Sequence, residues 1–146
     1  MMKIVVGAGS CGIAAGAQKV YDALESLLPE NAALSVTGCN GMCFAEPIVD
    51  LYDENGALTR LTRVGEADAP RIAEAVKNND LAAIADLKIS DDDAQFLEKQ
   101  TRIALRHCGV INPESIEEYE NAGGYTAIRR ALFDMTPETV IEEIKT

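Results

Sequence analysis

Cys39 and Cys43 stand four residues apart in the run Thr37-Gly38-Cys39-Asn40-Gly41-Met42-Cys43-Phe44-Ala45-Glu46-Pro47, and Cys11 lies in the glycine-rich turn Gly7-Ala8-Gly9-Ser10-Cys11-Gly12. Two thiols at that spacing, in a loop whose glycines let the backbone fold back, can both turn toward one small inorganic core. A third thiol from another strand–helix junction makes a metal or iron–sulfur cradle the leading chemistry, with Cys11, Cys39 and Cys43 as its ligands. An iron–sulfur cluster ordinarily takes four cysteines, so the N-terminal half is one short. The remaining cysteine, Cys108, falls in Leu105-Arg106-His107-Cys108-Gly109. At the expected C-terminal end of a helix the macrodipole does not favour a thiolate, and Cys108 reads first as a packing residue.

Other chemistries compete for the same residues. Zinc on the three cysteines needs one more donor, and the sole histidine, His107, lies far along the chain. A thioredoxin-type dithiol is disfavoured, because that motif sets its cysteines three apart at a helix start. A buried inert pair or a disulfide stays open. The turn 7–12 also matches the dinucleotide fingerprint G-x-G-x-x-G, whose glycines and helix N-terminus attract phosphate. That fingerprint requires a carboxylate at the end of the next strand. Here the next strand runs into Thr37-Gly38-Cys39, with no acid and no further parallel βαβ unit behind it. The glycines are better explained as permitting a tight strand–helix turn that sets the Cys11 thiol at a helix N-terminus, where a thiolate is favoured.

The elements that must position these thiols follow from the hydrophobic pattern. Lys3–Val6 is a β-branched run that predicts a buried strand. Apolar residues at helical spacing predict a helix over Ile13–Leu28, stopped by Pro29. Leu34–Val36 and Ile48–Tyr52 read as strands, and Asn55-Gly56 is a strong hairpin signal before a returning strand at Ala57–Thr62. Ala67–Asn78 reads as a closing helix, and the tight turn before Ile48 is suited to a cis Glu46–Pro47 bond. The order β-α-β-β-β-α predicts an α+β fold, a mixed sheet with helices packed on it, over residues 1–80. From 81 to 146 the pattern is purely helical. Leu81–Leu87 is an Ala-rich turn, and Ser90 caps a helix expected to reach Arg106. Asn112-Pro113-Glu114 and Thr136-Pro137-Glu138 each predict a helix start, with a break at Gly123-Gly124. The expected domains are therefore 1–80 and a helical appendage, 81–146.

Composition narrows the partners. With 24 acidic against 13 basic residues and a net charge of −11 over 146 residues, the chain is poorly suited to nucleic acid or to an anionic membrane surface. No apolar run is long enough to span a bilayer. The N-terminus enters a strand pattern directly, without the pattern of a secretory leader, and four cysteines in that setting point to metal or redox use and a cytoplasmic location.

Residues 1–80 resemble a thioredoxin-like [2Fe–2S] ferredoxin domain. The resemblance rests on the element order, on Gly-Ser-Cys before the first helix, and on Thr-Gly-Cys-x-x-x-Cys followed by a proline and a Val/Ile-rich hairpin. It implies that Cys11, Cys39 and Cys43 are the second, third and fourth cluster ligands. The family's first cysteine lies at the end of strand one, where this chain has Val6 or Gly7. From about residue 94 the chain resembles the opening segment of the NADH- and FMN-binding flavoprotein subunit of NADH:quinone oxidoreductases and NAD-linked hydrogenases. The matching stretches are Phe96-Leu97-Glu98-Lys99-Gln100, Leu105–Gly109, Asn112-Pro113-Glu114, Gly123-Gly124-Tyr125 and Met135-Thr136-Pro137-Glu138.

Those flavoproteins continue into a glycine-rich loop that cradles FMN and NADH, and this sequence does not include it. The resemblance thus implies the N-terminal, electron-transferring part of an oxidoreductase subunit, without NADH dehydrogenase activity of its own. Its partners would be the other subunits of an NADH-linked complex. The alternative is a cluster-free thioredoxin-like docking module in the same kind of complex. The apolar faces carried by Phe96, Ile103, Ile116, Tyr119, Ile128, Leu132, Phe133, Val140 and Ile144 call for cover, from the first domain or from a second copy in a homodimer.

Overall fold

The computed structural model describes residues 1–145. β1 (Met2–Gly7) forms the centre of a four-stranded mixed sheet of order β2-β1-β3-β4. It pairs in parallel with β2 (Ala32–Thr37), Met2 opposite Ala32 and Gly7 opposite Thr37. On its other side it pairs antiparallel with β3 (Val49–Tyr52), which turns back into β4 (Leu58–Leu61). The hairpin turns at Asp53–Gly56, as expected. The Asp53 carboxylate accepts from the backbone N–H groups of Asn55 and Ala57, both at 2.8 Å, and Gly56 takes φ +82°. The Glu46–Pro47 bond is cis.

The predicted helix over 13–28 is two helices. Gly16, at φ +106°, closes α1 (Ser10–Ala15) and opens α2 (Ala17–Ser26). A left-handed residue cannot continue a helix, and glycine adopts that conformation without a Cβ penalty. α2 buries Val20 and Leu24, and α3 (Ala69–Lys77) buries Ile72 and Val76; with Ile4, Val6, Val49, Leu51 and Leu61 of the sheet they make one core.

The chain resolves into two compact units, one running from Met1 to Asn112 and one beginning at Pro113. Residues 81–112 belong to the first by contacts the sequence pattern does not announce. Ile84, in a 3₁₀ stretch at Leu81–Leu87, is fully buried in the main core. Leu61 bridges Lys88; Thr62 N–H donates to Leu87 O at 2.9 Å and Ile89 N–H to Arg60 O at 3.0 Å, so this segment lies along β4. Ile89 and Leu97 pack on a second small cluster of Met42, Ala45 and Ile48, just beyond the cysteine loop. α4 (Asp91–Glu98) is capped by Ser90, whose Oγ accepts from Asp93 N–H. It stops at Glu98, not at Arg106, because Arg102 is drawn into contacts with the cysteine loop described below.

The second unit contains α5 (Ile116–Asn121), α6 (Thr126–Phe133) and α7 (Pro137–Lys145). α5 begins at Ser115, which accepts from Glu118 N–H at 3.1 Å; the cap signal is Ser115-x-x-Glu118, and not Asn112-Pro113. Tyr125, at φ +62°, enters α6 and sets its ring edge-on to Tyr119 at 5.0 Å. A two-pronged Arg130–Glu143 pair at 3.0 and 3.1 Å joins α6 to α7. No residue from 113 to 145 is buried, and Leu132, Phe133 and Ile144 are 68%, 80% and 81% exposed. No helix among the described residues is long and apolar enough to cross a membrane.

On the sheet face opposite the helices, Asp50 takes a bidentate grip from Arg60, Nε to Oδ1 at 2.7 Å and Nη2 to Oδ2 at 2.6 Å. The side chains are only 3% and 13% exposed. The Asp50 hydrogen bond holds the Arg60 guanidinium above its ordinary pKa against the opposing effect of burial. Removing one partner of such a pair leaves the other charged and desolvated. Asp50→Ala is expected to cost about 3–5 kcal/mol in chemical denaturation, and Arg60→Met with Asp50→Leu together far less.

Candidate functional site

The parallel β1–β2 ladder decides where the thiols go. Both strands end at the same side of the sheet, Gly7 opposite Thr37, and Ala8 N–H extends the ladder to Thr37 O at 2.8 Å. The Cys11 turn and the Cys39–Cys43 loop therefore leave from adjacent points. They meet at Gly9, where an added Cβ would lie 2.7 Å from Cys39 Cβ and 3.0 Å from its backbone nitrogen. Only glycine lets the two segments approach this closely.

Within the loop Cys39 Sγ and Cys43 Sγ are 3.8 Å apart, and both thiols are free. Gly41, at φ +95°, turns its N–H back onto Cys39 Sγ at 3.3 Å. Asn40 Oδ1 accepts from Met42 N–H at 3.0 Å and fixes the turn between the two cysteines. The Gly41 N–H pulls the Cys39 thiol down. Burial and the neighbouring Cys43 and Glu46 outweigh it and leave the thiol above its ordinary value. Cys11 and Cys43 are exposed and Cys39 half-buried. The structure thus pairs Cys39 with Cys43 and sets the Cys11 turn against them. Among the described residues, no group of three or more histidine, cysteine or acidic side chains is closed around a single metal position.

Two positions were candidates for the absent first ligand. Val6 is buried in the main core and is not available. Gly7 lies at the strand end, and its missing Cβ would stand 3.2 Å from Glu46 Oε2. A carboxylate therefore occupies the space beside Gly7 into which a side chain there would project. Glu46 is itself buried, its Oε2 accepting from Ile48 N–H at 2.9 Å. The sequence reading did not single it out, and its position before Pro47 was the available signal. The donor set suits an iron–sulfur group in its chemistry, with soft thiolates on open loops and an N–H directed at one sulfur. It lacks a thiolate at Gly7.

A further segment reaches this loop. Arg102 donates from Nη2 to Asn40 O and from Nη1 to Cys108 O at 3.3 Å. Gly109, at φ +78°, packs so closely that an added Cβ would lie 2.7 Å from Asn40 Cβ. Thr37 Oγ1 donates to Ile111 O at 2.8 Å. These contacts were not legible from the pattern, which placed Arg102 inside a helix.

No protein-family model matches the chain. Over 48 residues, a third of this chain, it is 46% identical to the NADP-reducing hydrogenase subunit HndC of Solidesulfovibrio fructosivorans. The matched stretch spans 10% of that relative's length. In structure, 62% of the chain superposes on 98% of the thioredoxin-like [2Fe–2S] ferredoxin of Aquifex aeolicus, with TM-score 0.53 and 19% identity. A cysteine-to-serine variant of that ferredoxin is covered completely, at the same TM-score and 18% identity. The expected fold class is therefore correct: this chain carries a mixed α+β unit with the fold of the thioredoxin-like ferredoxins.

Burial pushes the Glu46 carboxyl up, opposed by the Ile48 N–H, with Asp50 adding to the rise and Arg60 reducing it. A carboxyl with a raised folded-state pKa favours the fold when protonated. That contribution is complete below the ordinary carboxylate range and is lost as pH rises through the raised value. Glu46→Gln, which keeps an acceptor for Ile48, is expected to melt a few degrees above the wild type at about pH 8. The gap should close by about pH 4, in thermal scans across that range.

Proposed function

We propose that this chain is an electron-transfer module of a hydrogenase-type, NAD(P)H-linked redox complex, in which Cys11, Cys39 and Cys43 give thiolates to a [2Fe–2S] cluster. The observation that carries this reading is the Cys39–Cys43 pair at 3.8 Å, with the Gly41 N–H on one sulfur and the Cys11 turn packed against it. The ferredoxin fold and the sequence relation to a hydrogenase subunit support it.

When bound, the cluster takes up and passes on single electrons. The chain's own residues set the conditions for that exchange. The N–H directed at Cys39 stabilises negative charge on sulfur and raises the potential at which charge is added. Exposed Cys11 and Cys43 keep the site at the surface, where a partner subunit can approach it. Flavin and NADH chemistry belongs, on this reading, to sequence outside this stretch, and the module's partners are the other subunits of the complex. A cluster-free docking role is favoured by two observations: the Glu46 carboxylate stands where a thiolate at Gly7 would project, and among the described residues no three donor side chains close around one metal position.

Iron–sulfide reconstitution under anaerobic conditions separates the two readings. Electron transfer predicts about two irons and two sulfides per chain with thiolate-to-iron visible absorption. Cys39→Ser and Cys43→Ser should each remove most of that absorption. A wild-type chain that takes up no iron, with its thermal transition intact, would leave docking as the function.

A further inference from the structure

The chain has four cysteines, and the fold carries the segments that hold all four to one end of the sheet. Three arrive on the turns after β1 and β2. The fourth arrives on the residues after α4, far away in sequence and independent of the β1–β2 ladder. We propose that Cys108 supplies the thiolate missing at Gly7, so that the cluster is held by Cys11, Cys39, Cys43 and Cys108. This inference rests on the cluster reading above and names its fourth ligand.

The contacts of the 102–111 segment carry it. That segment grips the cysteine loop at two places that bracket Cys39. Thr37, two residues before Cys39, donates its hydroxyl to Ile111 O at 2.8 Å. Asn40, the residue after Cys39, has its carbonyl held by Arg102 and its Cβ pressed against Gly109. Arg102 holds the Cys108 carbonyl with its other nitrogen, so one guanidinium fork ties the peptide carrying Cys108 to the peptide following Cys39. The local turn is closed by Cys108 N–H to Leu105 O at 3.1 Å and by Val110 and Ile111 N–H to His107 O at 3.1 and 3.3 Å. Gly109 is buried with positive φ, a conformation in which a side chain would be strained and would strike Asn40. The segment is thus built to seat the residue before Gly109 beside the loop. Cys108 is half-buried and unbonded to another sulfur.

Chemistry favours a thiol there over the nearer alternative. Glu46 stands beside Gly7, but it is a hard oxygen donor already engaged with Ile48 N–H. Iron–sulfur clusters take thiolate in preference to carboxylate. Loading the site would deprotonate the Cys108 thiol, releasing its proton to solvent, and would draw the sulfurs from their present separation onto the iron core. The Arg102 fork, cationic and next to the Cys108 carbonyl, offsets part of the added negative charge.

Anaerobic reconstitution of the full chain with ferric iron and sulfide, followed by alkylation with iodoacetamide and mass spectrometry, tests this directly. The iron-free chain should alkylate at all four cysteines, and the loaded chain at none. Cys108→Ala should shorten cluster lifetime about tenfold or more. Cys108→Ser, which leaves an oxygen donor, should retain iron but shift the visible absorption and the electron paramagnetic resonance of the reduced cluster, which a purely structural role for Cys108 would not do. Protection of Cys11, Cys39 and Cys43 while Cys108 alkylates freely, with an unshifted spectrum in Cys108→Ser, would overturn the assignment and leave the cluster reading standing. Absence of iron from the wild-type chain would overturn both.

Discussion

Gly7 and Thr37 end the parallel β1–β2 ladder side by side, and the chemistry of the chain depends on that register. Parallel strands send their following turns out at the same end of a sheet, which is why ligands gather there in α/β arrangements. A shift of one residue would turn Val6 out of the core and move the Cys11 turn away from Cys39. The register is held by burial, since Ile4 and Val6 must stay on the helix-covered face. It is also held by Ala8 and Gly7, whose N–H groups bond to Thr37 O and Ile48 O. Position of the thiols is therefore a by-product of packing the sheet.

Close approach is the second requirement, and it is met with glycines at two separate interfaces. Gly9 admits the Cys39 backbone from the β1 side, and Gly109 admits Asn40 from the α4 side. The cysteine loop is consequently clasped from two directions while its sulfurs remain reachable from solvent. Glu46 completes the floor of this region as a buried acid whose ionisation the fold resists. A buried carboxyl beside the loop adds to the cost of placing negative charge on the Cys39 thiol.

The elements with strong local signals were legible. Alternation and Asn55-Gly56 gave the hairpin, and the β-branched run gave β1. What escaped the pattern was settled by contacts between distant residues. Gly16 divides a helix that apolar spacing alone continues, since spacing carries no information on backbone handedness. The segment after Glu98 reads as helix by composition, yet Arg102 gains two carbonyl acceptors by leaving the helical path. A gap of 62 residues separates Arg102 from Asn40, and no local rule reports on it. For the site, Cys39 and Cys43 were identifiable as a pair from their spacing. The neighbourhoods of Glu46 and Cys108 required the fold.

Residues 87–89 lie along β4 and occupy part of the hydrogen-bonding row that an edge strand would otherwise present to other molecules. A sheet guarded on one side has its outer flank at β2, which pairs only with β1 among the described strands. β2 is also the strand that delivers the cysteine loop. Any neighbour that joined this sheet by strand addition would come to rest at the doorstep of the thiols, so the covering of one margin sets the direction from which assembly can proceed.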